Sequence, residues 1–121
     1  MKFVLITKDV QLEEEARLGF HPSDELTVFP DWRTALDDCS DADLMFVDLI
    51  STLDEPHKIA GYEAFGESKI SHPDASSIPL VVISPPAEYE LDFFAGWPNF
   101  ALANIQRPVN YKMFRRASTW V

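Results

Sequence analysis

The chain has 121 residues with 20 acidic against ten basic side chains, a formal net charge of −10. That length suits one domain, 1–121, and a field of that sign repels both nucleic-acid phosphates and anionic lipid, which sets aside direct nucleic-acid and membrane binding. Cys39 is the only cysteine, so an intrachain disulfide is excluded and a reducing cytoplasm is the expected location. The opening apolar run, residues 3–6, is too short for a signal-peptide core, and no stretch approaches the length of a spanning helix.

Phe3, Val4, Leu5 and Ile6 form an unbroken apolar run, the pattern of a strand covered on both faces of a parallel sheet. Asp9 follows as a helix cap, with Leu12, Ala16, Gly19 and Phe20 on one helical face and Glu13, Glu14 and Glu15 near the dipole-positive start. Residues 21–24 make a turn into a second strand, Leu26, Thr27, Val28 and Phe29. Asp31 caps a second helix, in which Trp32, Ala35, Leu36 and Cys39 recur at i, i+3, i+4 and i+7.

A third strand, Leu44 to Val47, closes on Asp48. Residues 49–56 show no periodicity before Ile59, Tyr62 and Phe65 mark a third helix. Residues 71–79 are a Ser- and Pro-rich connection, and Leu80, Val81, Val82 and Ile83 give a fourth strand that ends in Ser84 and is stopped by Pro85 and Pro86. Leu91, Phe94 and Ala95 form a short helical stripe broken at residues 96–99. Residues 100–105 read as a fifth strand, followed by Arg107-Pro108 and a last helix with Asn110, Met113, Ala117 and Val121 on one face and Lys112, Arg115 and Arg116 on the other.

Strand and helix alternate over the whole length, which predicts an α/β fold: a doubly wound parallel sheet with helices on both faces. Five βα units suggest the flavodoxin-like (βα)5 arrangement, strand order 2-1-3-4-5. Such sheets gather their chemistry at the C-terminal strand ends, so Thr7-Lys8, Asp48, Ser84 and Arg107 are expected around one crevice.

With these residues in that order, the whole chain resembles the receiver domain of two-component response regulators, the chemotaxis-regulator-like family. The resemblance places Asp48 at the phospho-acceptor position and Ser84 at the hydroxyl that meets the phosphoryl group. Arg107-Pro108 stands where the family has Lys-Pro. The departures matter equally. Where the family has adjacent carboxylates for Mg²⁺, this chain has Thr7 and Lys8, with Asp9 available only if the strand end shifts by one residue. Mg²⁺ needs oxygen ligands in a near-octahedral set, so the metal site looks degenerate. Pro85 offers no backbone N–H after Ser84, Arg107 differs in reach from lysine, and the aromatic switch position falls at Asn104. The glycine expected soon after the acceptor comes only at Gly61, which implies an insertion around residues 51–57.

Plain structural roles compete with each functional one. Asp48, Ser84, Arg107 and Lys8 can form a relic ion-pair network, and His21, His57 and His72 lack ligand spacing. Cys39 sits on an apolar helical face. No Lys or Arg occurs between Lys69 and Arg107, and four of the ten occur from Arg107 onward. The resulting expectation is a pseudo-receiver in phosphorelay signal transduction, not an enzyme and without a cofactor, that acts by phosphorylation-independent protein–protein interaction. The resemblance implies a partner such as a histidine kinase or signalling effector, or a second copy in a homodimer, and a docking surface anchored by Phe93, Trp97, Tyr111 and Arg115. Two alternatives stay open. One is an atypical receiver phosphorylated on Asp48 with Mg²⁺ bound, where Ser84 and Arg107 stabilise the phosphoryl oxygens. The other is a flavodoxin-like small-ligand protein, although Thr7-Lys8-Asp9-Val10 lacks the glycine of a phosphate loop.

Overall fold

Runs with no polar residue to offer solvent must lie where both faces are covered, and the computed structural model, which describes residues 1–92 and 100–121, places them at the centre of a sheet. Its strands are β1 (Lys2–Ile6), β2 (Glu25–Phe29), β3 (Leu44–Asp48), β4 (Leu80–Ser84) and β5 (Ala103–Gln106). All pairings are parallel and the order is β2-β1-β3-β4-β5, the flavodoxin-like α/β topology expected from the sequence. The inner strands β1, β3 and β4 are almost wholly buried, while β2 and β5 are half-exposed edges.

The helices are α1 (Val10–Gly19), α2 (Trp32–Asp37), α3 (Leu49–Thr52), α4 (Ala60–Ser71) and α5 (Tyr111–Ala117), with a 3₁₀ turn at Ala75–Ser77. Side chains cap three of them: Asp9 accepts from the Gln11 and Leu12 amides, Asp31 from Arg33, and Asn110 from Lys112. Each of these caps satisfies N–H groups that the helix itself leaves open. Asn110 is thus a cap and not a member of the packing face read from the sequence.

Period-two alternation along the strands splits the core in two. Phe3, Leu5, Phe46, Val81 and Ile83 face one side, where Leu12, Ala16 and Phe20 from the α1 region and Phe114 and Ala117 from α5 cover them. Val4, Ile6, Met45, Val47 and Val82 face the other, under Trp32, Ala35, Leu36, Tyr62 and Phe65 of α2 and α4. Cys39 lies just past the end of α2 but is buried in that second layer. Among the described residues no helix is long and apolar enough to cross a membrane.

Two sequence expectations change here. Residues 49–52 are a helical turn directly after β3, not an irregular segment. The fifth strand starts at Ala103, because Phe100 and Ala101 are apolar for a different reason: they pack on the α2/α4 core from beyond the ladder. The stripe over Leu91, Phe94 and Ala95 falls largely outside the described residues, as do Phe93 and Trp97 entirely.

Lys69 is 4 % exposed and donates from Nζ to the carbonyls of Ala75 and Ile78 at 2.9 and 2.7 Å. It closes the connection into β4, and burial lowers its pKa from 10.5. On the opposite layer α1 meets α5 at Gly19. A Cβ there would collide with the Tyr111 carbonyl oxygen and come within 2.8 Å of the Phe114 Cβ. Gly19→Ala is therefore expected to cost about 1–3 kcal/mol in urea denaturation, the scale of overpacking in a closed site. A neutral result would mean that the α1/α5 contact yields easily.

Candidate functional site

Asp48 ends β3 with its residue 1 % exposed. A carboxylate so deeply placed needs donors and a counter-charge, and both are supplied by neighbouring strand ends. Thr7 Oγ1, just past β1, donates to Asp48 Oδ2 at 2.8 Å. Ser51 Oγ donates to the same oxygen at 3.0 Å. Arg107 Nη2 donates to it at 2.7 Å, and Arg107 Nη1 reaches Asp9 Oδ2 at 3.0 Å.

One guanidinium therefore bridges two carboxylates from two different elements. Its position is fixed by the main chain, since the Arg107 N–H bonds to the Ser84 carbonyl at 2.9 Å where β4 and β5 end. The planar fork of arginine suits this double role in a way an ammonium would not. The Arg107-Pro108 peptide is cis.

The two hydroxyls act as relays. Thr7 Oγ1 accepts the Asp9 N–H at 3.0 Å and Ser51 Oγ accepts the Lys8 N–H at 2.9 Å, while each passes its own hydrogen to Asp48. The turn after β1 is thereby tied to the helical turn after β3. Ser51 was not singled out from the sequence. Its signal was the spacing: once residues 49–52 are helical, positions 48 and 51 fall on the same side of the turn.

Several expected members lie elsewhere. The β3/β4 register pairs Asp48 with Ile83, so Ser84 is one residue further on and alternation turns it to the other sheet face. Its hydroxyl donates to Asn104 Oδ1, and both residues line a cleft of about 400 Å³ with Pro85, Tyr89, Leu91 and Gln106. Ser84 thus makes no hydrogen bond with Asp48. Lys8 is exposed, and only its backbone N–H joins the network. The relic ion-pair network anticipated with Lys8 runs through Asp9 and Arg107 instead. Tyr111 and Arg115 sit on α5, with the Arg115 guanidinium 5.1 Å from the Tyr111 ring centre. Phe93 and Trp97 lie outside the described residues.

The segment between α3 and α4, where the resemblance implied an insertion, takes a definite form. His57 adopts φ 66, and its N–H bonds Tyr89 Oη at 3.3 Å while its carbonyl accepts from Asp92 at 2.8 Å. The Asp92 carboxylate in turn accepts the Ile59 N–H at 2.8 Å. The loop between α3 and α4 is thus fastened to the segment that follows β4.

These residues do not fit Mg²⁺. Three donors occupy Asp48 Oδ2, Asp9 is spent on capping α1 and on Arg107, and a cation already stands between the two carboxylates. Hydroxyls that donate to the carboxylate and a guanidinium with no lone pair cannot complete an oxygen cage. Among the described residues no group of three or more His, Cys, Asp or Glu side chains is placed to hold a metal ion.

The energetics of the bridge are unequal at its two ends. Removing the cation strands Asp48 in the interior, whereas removing Asp48 leaves Arg107 still paired with the more exposed Asp9. Arg107→Met is expected to cost about 3–5 kcal/mol, the range for breaking a buried pair. Asp48→Asn should cost clearly less, and the double variant less than the sum, by urea denaturation. Equal and additive losses would show that the contact is not coupled.

Partial burial pushes the Asp9 carboxyl up, but the Arg107 guanidinium and the Gln11 and Leu12 amides outweigh it and hold the group below its usual 3.8. A lowered carboxyl pKa stabilises the fold above the unfolded value and loses that contribution as pH falls through the folded one. Asp9→Asn should therefore flatten the fall in stability below about pH 4, measured by thermal melts across the acid range. An unchanged acid limb would remove Asp9 from the account. Neither protein-family models nor curated proteins match this chain.

Proposed function

We propose that the chain is a pseudo-receiver: a receiver-like signalling module of the cytoplasm that works by docking another protein and needs no phosphorylation. The observation that carries this is the Arg107 bridge. In phosphoryl transfer to a carboxylate, a metal ion offsets the charge that accumulates and orients the oxygens. Here a side chain of the protein already neutralises Asp48, while Thr7, Ser51 and Arg107 all occupy one of its oxygens. Asp48 Oδ1 is buried as well, with no solvent-facing surface for an in-line donor.

The same bridge supports a structural role for the pocket. It joins the turn after β1, the turn after β3 and the end of β5, and so fixes the C-terminal edge of the sheet. A pocket held shut by its own counter-ion leaves the outer surfaces as the working part of the molecule. Phe93, Trp97, Tyr111 and Arg115 remain the proposed anchors, and a histidine kinase or signalling effector remains the proposed class of partner.

A second reading keeps phosphorylation on Asp48. One feature favours it: Oδ1 takes no hydrogen bond among the described residues and so remains a free carboxylate oxygen. Incubation with acetyl phosphate and Mg²⁺ followed by intact-mass measurement separates the two. The docking reading expects no added phosphoryl group. A stoichiometric, hydroxylamine-sensitive adduct that disappears in Asp48→Ala would establish the second reading in its place.

A further inference from the structure

Charge in this protein is divided along the chain. All 20 acidic residues precede position 93, while four of the ten cations follow it, three of them on α5. Lys112, Arg115 and Arg116 recur at i, i+3 and i+4, which puts them on one face of the helix, and all three are exposed. Thr119, just past the end of the helix, is exposed too, whereas Phe114 and Ala117 are buried in the core.

Elsewhere the protein pairs its cations. Lys2 lies beside Asp41 and Glu25, Arg17 beside Glu13, Arg33 beside Asp31, and Arg107 between Asp9 and Asp48. Carboxylates outnumber cations two to one, yet none of the three on α5 pairs with one among the described residues. Arg115 rests on the Tyr111 ring, which restrains the guanidinium without neutralising it. Lys8 and Lys58 also form no ion pair among the described residues, but each stands alone. Among the described residues the α5 stripe is where exposed, uncompensated positive charge is concentrated.

We infer that the outward face of α5 is a docking surface for an acidic segment of a partner protein, held by Lys112, Arg115 and Arg116. This rests on the docking reading above and names the chemistry of the partner. The fit is local. Exposed charges are screened over about 8 Å at physiological ionic strength, so a short acidic segment meets the stripe without meeting the rest of the surface. An extended polyanion or an anionic membrane must approach the acidic body and is repelled.

The test uses the full chain and a synthetic peptide of alternating Glu and Leu, followed by backbone amide shifts, with a Gln-Leu peptide, phosphatidylserine vesicles and single-stranded DNA as comparisons. The Glu-Leu peptide should give saturable shifts centred on 112–119 that weaken in high salt. The Lys112→Glu/Arg115→Glu/Arg116→Glu variant should weaken binding at least about tenfold, while Lys112→Arg/Arg115→Lys/Arg116→Lys keeps it; all three sites are exposed, so folding is checked by an unchanged melt. No saturable shift, shifts centred elsewhere, equal binding of the Gln-Leu peptide, or tighter binding to vesicles or DNA would each overturn the inference. The two readings fail separately: a phospho-adduct at Asp48 would remove the docking reading, whereas absence of peptide binding would remove only the acidic partner.

Discussion

The Arg107 guanidinium sets the character of this molecule. It stands between Asp48, which is buried, and Asp9, which caps α1, and it takes its place from the point where β4 and β5 end. A buried carboxylate without a counter-charge is too costly to keep ionised. Something must neutralise Asp48, and the chain does it with an ion pair to its own Arg107 side chain. The consequence reaches beyond one ion pair. Thr7 and Ser51 can point their hydroxyl hydrogens at Asp48 because the oxygen is an acceptor held in place, and those same hydroxyls collect the amides of Asp9 and Lys8. Three strand ends become one unit.

That unit sits where parallel α/β sheets gather their chemistry, but its internal connections occupy Oδ2 of Asp48 and both oxygens of Asp9. A carboxylate oxygen with three donors is a poor nucleophile and a poor metal ligand. The segment around His57, pinned to Tyr89 and Asp92, further ties the loop after α3 to the segment after β4. On the docking reading proposed above, function lies on the outer surfaces of the fold. α5 is the clearest of these, since its inner face packs against α1 at Gly19 while its outer face carries three exposed cations that form no ion pair among the described residues.

Much of the architecture could be read from residue order. Continuous apolar runs announced the buried strands, and Asp9 and Asp31 announced two helix starts, because both signals are local and steric or hydrogen-bonding in origin. Trp32, Ala35 and Leu36 were legible as a packing face for the same reason. The pocket was only half legible. Thr7, Asp48 and Arg107 followed from counting strand ends, but Ser84 did not belong: strand ends that align in sequence need not present their side chains to the same face, and register decides it. Ser51 was hidden because its role depends on a four-residue helical turn too short to show periodicity. Phe100 looked like strand because packing against a core and pairing in a ladder demand the same apolar residue.

The claim that the pocket is neutralised from within is tested most directly by titrating Mg²⁺ into the protein and following the backbone amide shifts of Thr7, Asp9, Asp48, Ser51 and Arg107. The account expects no saturable change at these positions in the wild-type chain. Saturable shifts centred on Asp48, with the Arg107 bridge displaced as the ion binds, would contradict it.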